Sequence, residues 1–135
     1  MDTDVLVVGA GPAGLAVAAC LKKQGVEPVV VDRGESVGES WRRRYERLHM
    51  HTPRVQSALP GMRIPRSFGR WVSKDDMAEY LRRYAEHHGI EPRFGTEVQR
   101  LERTDDGWTA VTGDGKVAAR QVVVASGYNC TPVEP

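Results

Sequence analysis

The sequence predicts an α/β fold in which an antiparallel meander is inserted into a parallel sheet. Continuous apolar runs, typical of parallel strands buried on both faces, lie at three places: 4–8, 27–32 and 121–126. Two segments with helical start and stop signals, 12–24 and 74–88, separate these runs. Asp-Gly pairs, which favour tight hairpin turns, follow the second helical segment. Strands alternating with helices in this way predict an α/β protein.

The first three elements have clear boundaries. DVLVV at 4–8 predicts the first strand, and Pro12 opens a helix that runs to about Gln24, where Gly25 stops it. EPVVVD at 27–32 predicts a second strand of the same buried kind.

A long crossover joins the second strand to the second helix. Residues 33–74 are irregular and proline-containing, and they predict only one short helix, around 39–47. The second helix spans about 74–88, because Ser73 is a good N-cap and acidic residues fill the first turn.

Short strands make up the C-terminal part. PRFG at 92–95 predicts the first of them, and the meander covers about 97–119. The apolar QVVVAS at 121–126 then predicts a return strand in the main sheet. The meander strands are predicted at 97–103, 108–112 and 116–119.

Composition and the order of residue types argue against several classes of protein. The 135 residues include 19 basic and 18 acidic side chains, and this balance favours neither a nucleic acid nor a membrane surface as partner. Cys20 and Cys130 lie far apart, which predicts reduced thiols in a cytoplasmic protein. Glycines interrupt the first apolar run, so we interpret it as a strand rather than a signal peptide or membrane helix.

VVGAGPAGLA, at 7–16, contains the G-x-G-x-x-G pattern of a dinucleotide-binding turn between a predicted strand and a predicted helix. Gly9 permits the tight turn, Gly11 lets the backbone approach a pyrophosphate at the helix N-terminus, and Gly14 permits close helix–strand packing. Asp32, eighteen residues after Gly14, is positioned to accept hydrogen bonds from ribose hydroxyls. The predicted nucleotide-binding residues here are Gly9, Gly11, Pro12, Ala13, Gly14, Asp32 and Arg33.

This pattern predicts a Rossmann-like sheet and limits which nucleotides can bind at the turn. The negative charge of Asp32 disfavours a ribose 2′-phosphate, so NADP is not expected at this turn. NAD and FAD both present an ADP half, and the turn alone leaves both open.

Four segments together resemble a known family. VVGAGPAGLA, ESVGESWR, YERLHMHTPR and VVVASGYNCTPVEP occur in the order and spacing of the flavin-containing monooxygenases and the related Baeyer–Villiger enzymes. The chain is most similar to the plant-type and bacterial branch of the monooxygenases. The resemblance implies that residues 1–135 are the N-terminal portion of an FAD-binding domain. It also implies that a second dinucleotide-binding domain, for NADPH, is absent from these residues and lies beyond Pro135.

The resemblance implies further residues near the cofactor. Gly38–Arg42 corresponds to a segment beside the flavin, in which Glu39 stands where the family has a second glycine. LHMHTP corresponds to the loop over the flavin, and an asparagine stands at the His51 position in the animal-type enzymes. TEV corresponds to the segment that contacts adenine, and ASG to the end of the return strand. The residues implied are Ser40, Trp41, His51, Thr52, Val98, Ala125, Ser126 and Gly127.

Simpler interpretations of two of these residues remain open. Trp41 could be a core aromatic side chain instead of a cofactor neighbour. His49 and His51 would share a face of an extended segment, but no third ligand is near them in the sequence, so we expect no metal site.

Two classes of function follow. The resemblance implies an NADPH-dependent flavoprotein monooxygenase that oxygenates a small-molecule substrate through a flavin C4a-hydroperoxide. The alternative is a stand-alone FAD- or nucleotide-binding module without catalysis. The spacing of serines, histidines and acids assembles no catalytic set, so no catalytic residue is predicted.

Overall fold

A computed structural model describes residues 1–127 as a five-stranded mixed sheet with helices packed on it. The strand order is β2-β1-β5-β4-β3; β1 runs parallel to β2 and β5, and β3, β4 and β5 form the antiparallel part. The elements in chain order are β1 (Thr3–Val8), α1 (Pro12–Lys23), β2 (Val29–Val31), α2 (Glu39–Arg42), α3 (Arg54–Ser57), a 3-10 turn (Arg66–Phe68), α4 (Lys74–His87), β3 (Val98–Thr104), β4 (Gly107–Thr112) and β5 (Gly115–Val124). The predicted Rossmann-like sheet with its antiparallel insertion is confirmed.

One long strand joins the two parts of the sheet. The predicted strands at 116–119 and 121–126 are a single element, β5, whose first half pairs with β4 and whose second half pairs with β1. Arg120, which lies between the two predicted segments, is exposed, so its charge does not interrupt the strand. β5 ends at Val124, although the Ala125 N–H still donates to the Val8 carbonyl at 2.8 Å.

The predicted strand at 92–95 is wrong in extent. Arg93 alone forms a parallel bridge with Val31, donating to the Val30 carbonyl at 2.8 Å. Gly95 has a φ of +66°, so the extended conformation ends before it. β2 spans only Val29–Val31 and is therefore shorter than the predicted 27–32.

The crossover at 33–74 contains more helical turns than predicted. The helix expected around 39–47 ends already at Arg42, while α3 and the 3-10 turn were not predicted. Both begin directly after a proline, Pro53 and Pro65, whose fixed φ suits the entry into a helical turn.

β1 is buried on both faces, as its continuous apolar run predicts. Val5 and Val7 point into the core that α1 and α4 cover, whereas Leu6 belongs to a second apolar cluster on the opposite face. That second cluster also contains Val31 of β2 and Ala110 of β4, so the antiparallel part helps to cover the parallel part.

Among residues 1–127, no helix combines the length and the apolar composition that crossing a bilayer requires.

Two tyrosines of α4 hold the loop at 59–62 inside the crossover. The Tyr80 hydroxyl donates to the Met62 carbonyl at 2.6 Å and accepts from the Leu59 N–H at 2.9 Å. The Tyr84 hydroxyl donates to the Pro60 carbonyl at 2.6 Å. A tyrosine hydroxyl is protonated at neutral pH, and burial raises the pKa of Tyr84 to about 12, so this hydroxyl remains a donor in moderately alkaline solution as well.

We expect Tyr80→Phe to lower the free energy of unfolding by about 1–3 kcal/mol, because it leaves the partners at Leu59 and Met62 unpaired in a part-buried position. Urea unfolding measures this change. Tyr45→Phe is the control, since Tyr45 is 66% exposed. Equal unfolding midpoints for the Tyr80 variant and the parent would contradict a structural role for this hydroxyl.

Candidate functional site

The glycine turn lies where three parallel strands end. It connects β1 to α1, and the Gly9 N–H donates to the carbonyl of Val31, the last residue of β2, at 2.8 Å. Val8 and Val124 pair at the ends of β1 and β5. The carboxyl ends of parallel strands are the edge at which open α/β sheets bind ligands.

Gly9 and Gly14 are required by the fold itself. Gly9 has a φ of +112°, and a Cβ added there would lie 2.2 Å from the Ala125 carbonyl oxygen. A Cβ on Gly14 would lie 1.8 Å from the Gly9 carbonyl oxygen. Both contacts are far inside van der Waals distance and involve backbone atoms, so only glycine fits.

Gly11 differs from its two neighbours in the motif. Its φ is −80°, which any residue can adopt, and among residues 1–127 no atom lies within 4 Å of an added Cβ. Neither the conformation of Gly11 nor the packing of residues 1–127 therefore requires a glycine at this position.

The first turn of α1 provides hydrogen-bond donors beside Gly11. Pro12 has no N–H, and no side chain caps the helix. Within residues 1–127, the N–H groups of Gly11, Ala13 and Gly14 have no acceptor. Free amides at the positive end of a helix dipole form a site suited to phosphate.

Asp32 connects the glycine turn to the loop after β2. Its Oδ2 accepts from the Ala10 N–H and its Oδ1 from the Gly34 N–H, both at 2.7 Å. Each carboxylate oxygen keeps a further lone pair for another donor. The structure thus brings Asp32 to the turn, beside the exposed Arg33, while its contact with a ribose remains a prediction.

α2 is fixed against α4 at both of its ends. Gly38 has a φ of +80°, and an added Cβ would lie 2.9 Å from the Ala78 backbone. At the other end the buried Lys74 ammonium donates to the Arg42 carbonyl at 2.9 Å. Trp41, between them, packs partly against the helix-covered core, as the simpler interpretation of this residue expects.

The loop implied to lie over the flavin is exposed. His51 and Thr52 are both exposed, and the Thr52 hydroxyl is hydrogen-bonded to Ser57 of α3 at 2.6 Å. His49 lies in a bridge with Ser73, which ties this loop to the start of α4. Residues 1–127 contain no group of three or more His, Cys, Asp or Glu side chains that could hold a metal ion.

The TEV segment at 96–98, which the resemblance places beside adenine, begins next to the loop that follows Asp32. The Thr96 N–H donates to the Asp32 carbonyl and the Gly95 N–H to the Gly34 carbonyl, both at 2.9 Å. Val98 follows two residues later at the start of β3 and is partly buried. Val98 thus follows a segment that is hydrogen-bonded to the Asp32 loop, and its contact with adenine remains a prediction.

β5 is followed by Ala125, Ser126 and Gly127. The Ala125 carbonyl oxygen lies so close to Gly9 that it would be 2.2 Å from an added Cβ. The remainder of the motif that begins at 122, including Cys130, lies outside the described residues.

Sequence reasoning did not assign a role to two charged residues of the site. Glu39 Oε2 accepts from the Glu35 N–H at 2.6 Å, and Lys74 holds the end of α2. The hydrogen bond from Glu35 and the charge of Arg43 hold the pKa of Glu39 below its usual range. The departure from the family glycine at 39 was the available signal, but the partner of its carboxylate depends on how the loop folds.

Comparison with known proteins agrees with this geometry. The sequence profile of the family described as "Pyridine nucleotide-disulphide oxidoreductase" matches residues 6–135. "Probable indole-3-pyruvate monooxygenase YUCCA4" from Arabidopsis thaliana is 39% identical over 133 residues, covering 96% of this chain and 32% of that protein. "Uncharacterized oxidoreductase CzcO-like" from Geobacillus kaustophilus is 38% identical over 132 residues, covering 98% of this chain and 38% of that protein.

The solved structure of "Flavin-containing monooxygenase from Stenotrophomonas maltophilia" superposes with a TM-score of 0.84 at 28% identity, covering 93% of this chain and 39% of that one. The resemblance to flavin monooxygenases is therefore confirmed. The chain spans 32–38% of the length of the two curated relatives. With a profile match that covers nearly every residue, the chain belongs to the pyridine nucleotide-disulphide oxidoreductase family.

Proposed function

We propose that residues 1–135 form the N-terminal portion of the FAD-binding domain of a flavoprotein monooxygenase. The observation that carries the proposal is Gly11, a glycine that the fold of residues 1–127 does not require, beside amides at the start of α1 that have no acceptor within those residues. A ligand whose backbone contact leaves no room for a Cβ explains that glycine. An ADP moiety of FAD has this requirement at its pyrophosphate.

The residues at the turn fit FAD by their chemistry. The amides of Ala13 and Gly14 would bind the pyrophosphate, and Asp32 would accept hydrogen bonds from the ribose. Val98 would contact adenine, and Trp41 and Thr52 would lie toward the flavin ring. FAD, when bound, supplies the electron transfer and the O2 chemistry at ring carbon C4a, and this chain supplies binding and orientation.

The whole protein, in this proposal, is a cytoplasmic enzyme that oxidises NADPH and oxygenates a small molecule. NADPH would bind to residues beyond this chain, because Asp32 disfavours a 2′-phosphate at the glycine turn. The monooxygenase named among the relatives and the similar flavin monooxygenase structure support this class of reaction.

Titration of the 135-residue chain with FAD tests the proposal. We expect the flavin absorbance spectrum to change on binding, and ADP to compete for the same site, because the contacts proposed are to the ADP half. A chain that remains folded by circular dichroism but binds neither FAD nor ADP would contradict the proposal.

Asp32→Ala should weaken ADP binding by about 1–3 kcal/mol, because it removes a charged acceptor for the ribose hydroxyls. Isothermal titration calorimetry measures the change, with thermal unfolding to check the fold, since Asp32 also binds two backbone amides. Asp114→Ala, at the exposed β4–β5 turn, is the control for loss of one negative charge. Equal dissociation constants for the Asp32 variant and the parent would remove Asp32 from the ribose site.

A further inference from the structure

The loop after β2 has two successive amides that the chain's own carboxylates occupy. The Gly34 N–H donates to Asp32 Oδ1 at 2.7 Å, and the Glu35 N–H donates to Glu39 Oε2 at 2.6 Å. Successive backbone N–H groups of this kind form anion-binding concavities. Here the anions they bind belong to the protein.

The two carboxylates also converge in space. A Cβ added to Gly34 would lie 2.7 Å from Glu39 Oε2 and 3.0 Å from Asp32 Oδ1, so both oxygens lie within 3.0 Å of one point. Asp32 belongs to the end of β2 and Glu39 to the first turn of α2. Two negative charges are thus concentrated at the loop beside the proposed ribose position.

Glu39 is held firmly in this position. Its side chain is only 17% exposed and forms a salt bridge with Arg43. The loop before Glu39 is also held, because Arg42 Nη1 donates to the Ser36 hydroxyl at 3.1 Å and to the Val37 carbonyl at 3.0 Å. A glutamate is ionised at neutral pH at its ordinary pKa, and the hydrogen bond from the Glu35 N–H lowers the pKa of Glu39 further.

We propose that Glu39 is a specificity-determining residue that excludes nucleotides with a ribose 2′-phosphate from this site. An incoming phosphate would meet two carboxylates, and both loop amides that could bind it are already occupied. Arg33, the exposed neighbour that favours a 2′-phosphate, acts against this repulsion. Neutral ribose hydroxyls are donors and suffer no such repulsion.

This inference rests on the proposed nucleotide site and explains how that site would remain free of NADPH. A protein that uses both FAD and NADPH exposes its FAD site to a second ligand with the same ADP half. A second acid beside Asp32 increases the difference in affinity between the two ligands.

The test compares ADP-ribose with 2′-phospho-ADP-ribose, which differ only in the 2′-phosphate. We expect the parent chain to bind the 2′-phosphorylated ligand at least tenfold more weakly. Glu39→Gln keeps an acceptor for the Glu35 N–H but removes the charge, so the ratio should shrink several-fold. Glu39→Gly also vacates the amide, so the ratio should shrink further than in Glu39→Gln, toward the value that Asp32 alone sets, while the affinity for ADP-ribose changes little.

Glu35→Gln is the matched control, because it removes the same charge from an exposed side chain of the same loop. It should leave the ratio at the parental value. The inference is overturned if both Glu39 variants keep the parental ratio, or if Glu35→Gln shrinks it as much as Glu39→Gln does. A folded parent that binds neither ligand, nor ADP, instead overturns the proposed nucleotide site itself.

Discussion

Gly11→Ala is expected to abolish binding of FAD and ADP while the protein remains folded. The added methyl group enters space that residues 1–127 leave empty, at a φ of −80° that alanine adopts freely. Stability should fall by no more than about 1 kcal/mol, the range for exchanging residues at a helix N-cap. The same methyl group would occupy the position of the pyrophosphate, so affinity should fall by at least two orders of magnitude, on the scale of an overpacked contact.

Calorimetry with ADP and thermal unfolding of the same samples separate these two effects. Gly113→Ala is the matched control, since a Cβ there has only the Gln99 amide nitrogen within 4 Å, at 3.9 Å, and the residue lies in the β4–β5 turn. Binding by the Gly11 variant at the parental affinity would show that no phosphate contacts this turn.

Gly14→Ala should have the opposite principal effect, a large loss of stability. Its Cβ would lie 1.8 Å from the Gly9 carbonyl oxygen and 3.4 Å from Val7 Cγ1, and the backbone oxygen cannot rotate away. α1 would have to move off β1, at a cost of about 3 kcal/mol or more, the upper end of the range for overpacking. For a domain of this size the melting temperature should fall by about 10 °C.

Circular dichroism during heating gives the order of stability among the parent and the two variants. We expect the parent and Gly11→Ala to melt close together and Gly14→Ala to melt well below both. Coincident melting of Gly14→Ala and the parent would mean that α1 is not packed on the turn as closely as its backbone geometry requires.

The parallel core could be predicted because each of its signals is local. The apolar run at 4–8 and the proline and glycine that bound α1 specify those elements from neighbouring residues alone. β5 was divided into two predicted strands because Arg120 resembles an interruption in a one-dimensional pattern. In three dimensions its side chain lies at the surface and pairs with Asp4 at 3.3 Å.

The residues of the candidate site likewise fall into those that local sequence signals predict and those that they do not. Asp32 could be predicted at the glycine turn because neighbouring parallel strands end at a common edge, so spacing along the chain becomes proximity. Glu39 and Lys74 could not be assigned, because both act across the irregular crossover. In the sequence Lys74 is a cation in the first turn of a helix, which is an unfavourable position. Only the folded chain shows that its ammonium donates a hydrogen bond to the Arg42 carbonyl.

The continuity of β5 also sets the order in which the sheet can be completed during synthesis. β1 leaves the ribosome first, but its β5 partners, from Ala119 opposite Thr3 to Val124 opposite Val8, are made more than a hundred residues later. The β3–β4–β5 pairings are local and can close as soon as each strand is made, whereas joining β1 to β5 closes a loop of more than a hundred residues. Leu6 and Val7, fully buried in the folded protein, therefore lack their β5 neighbours until β5 has been made, and a nascent chain stalled before β5 retains an unpaired apolar strand edge.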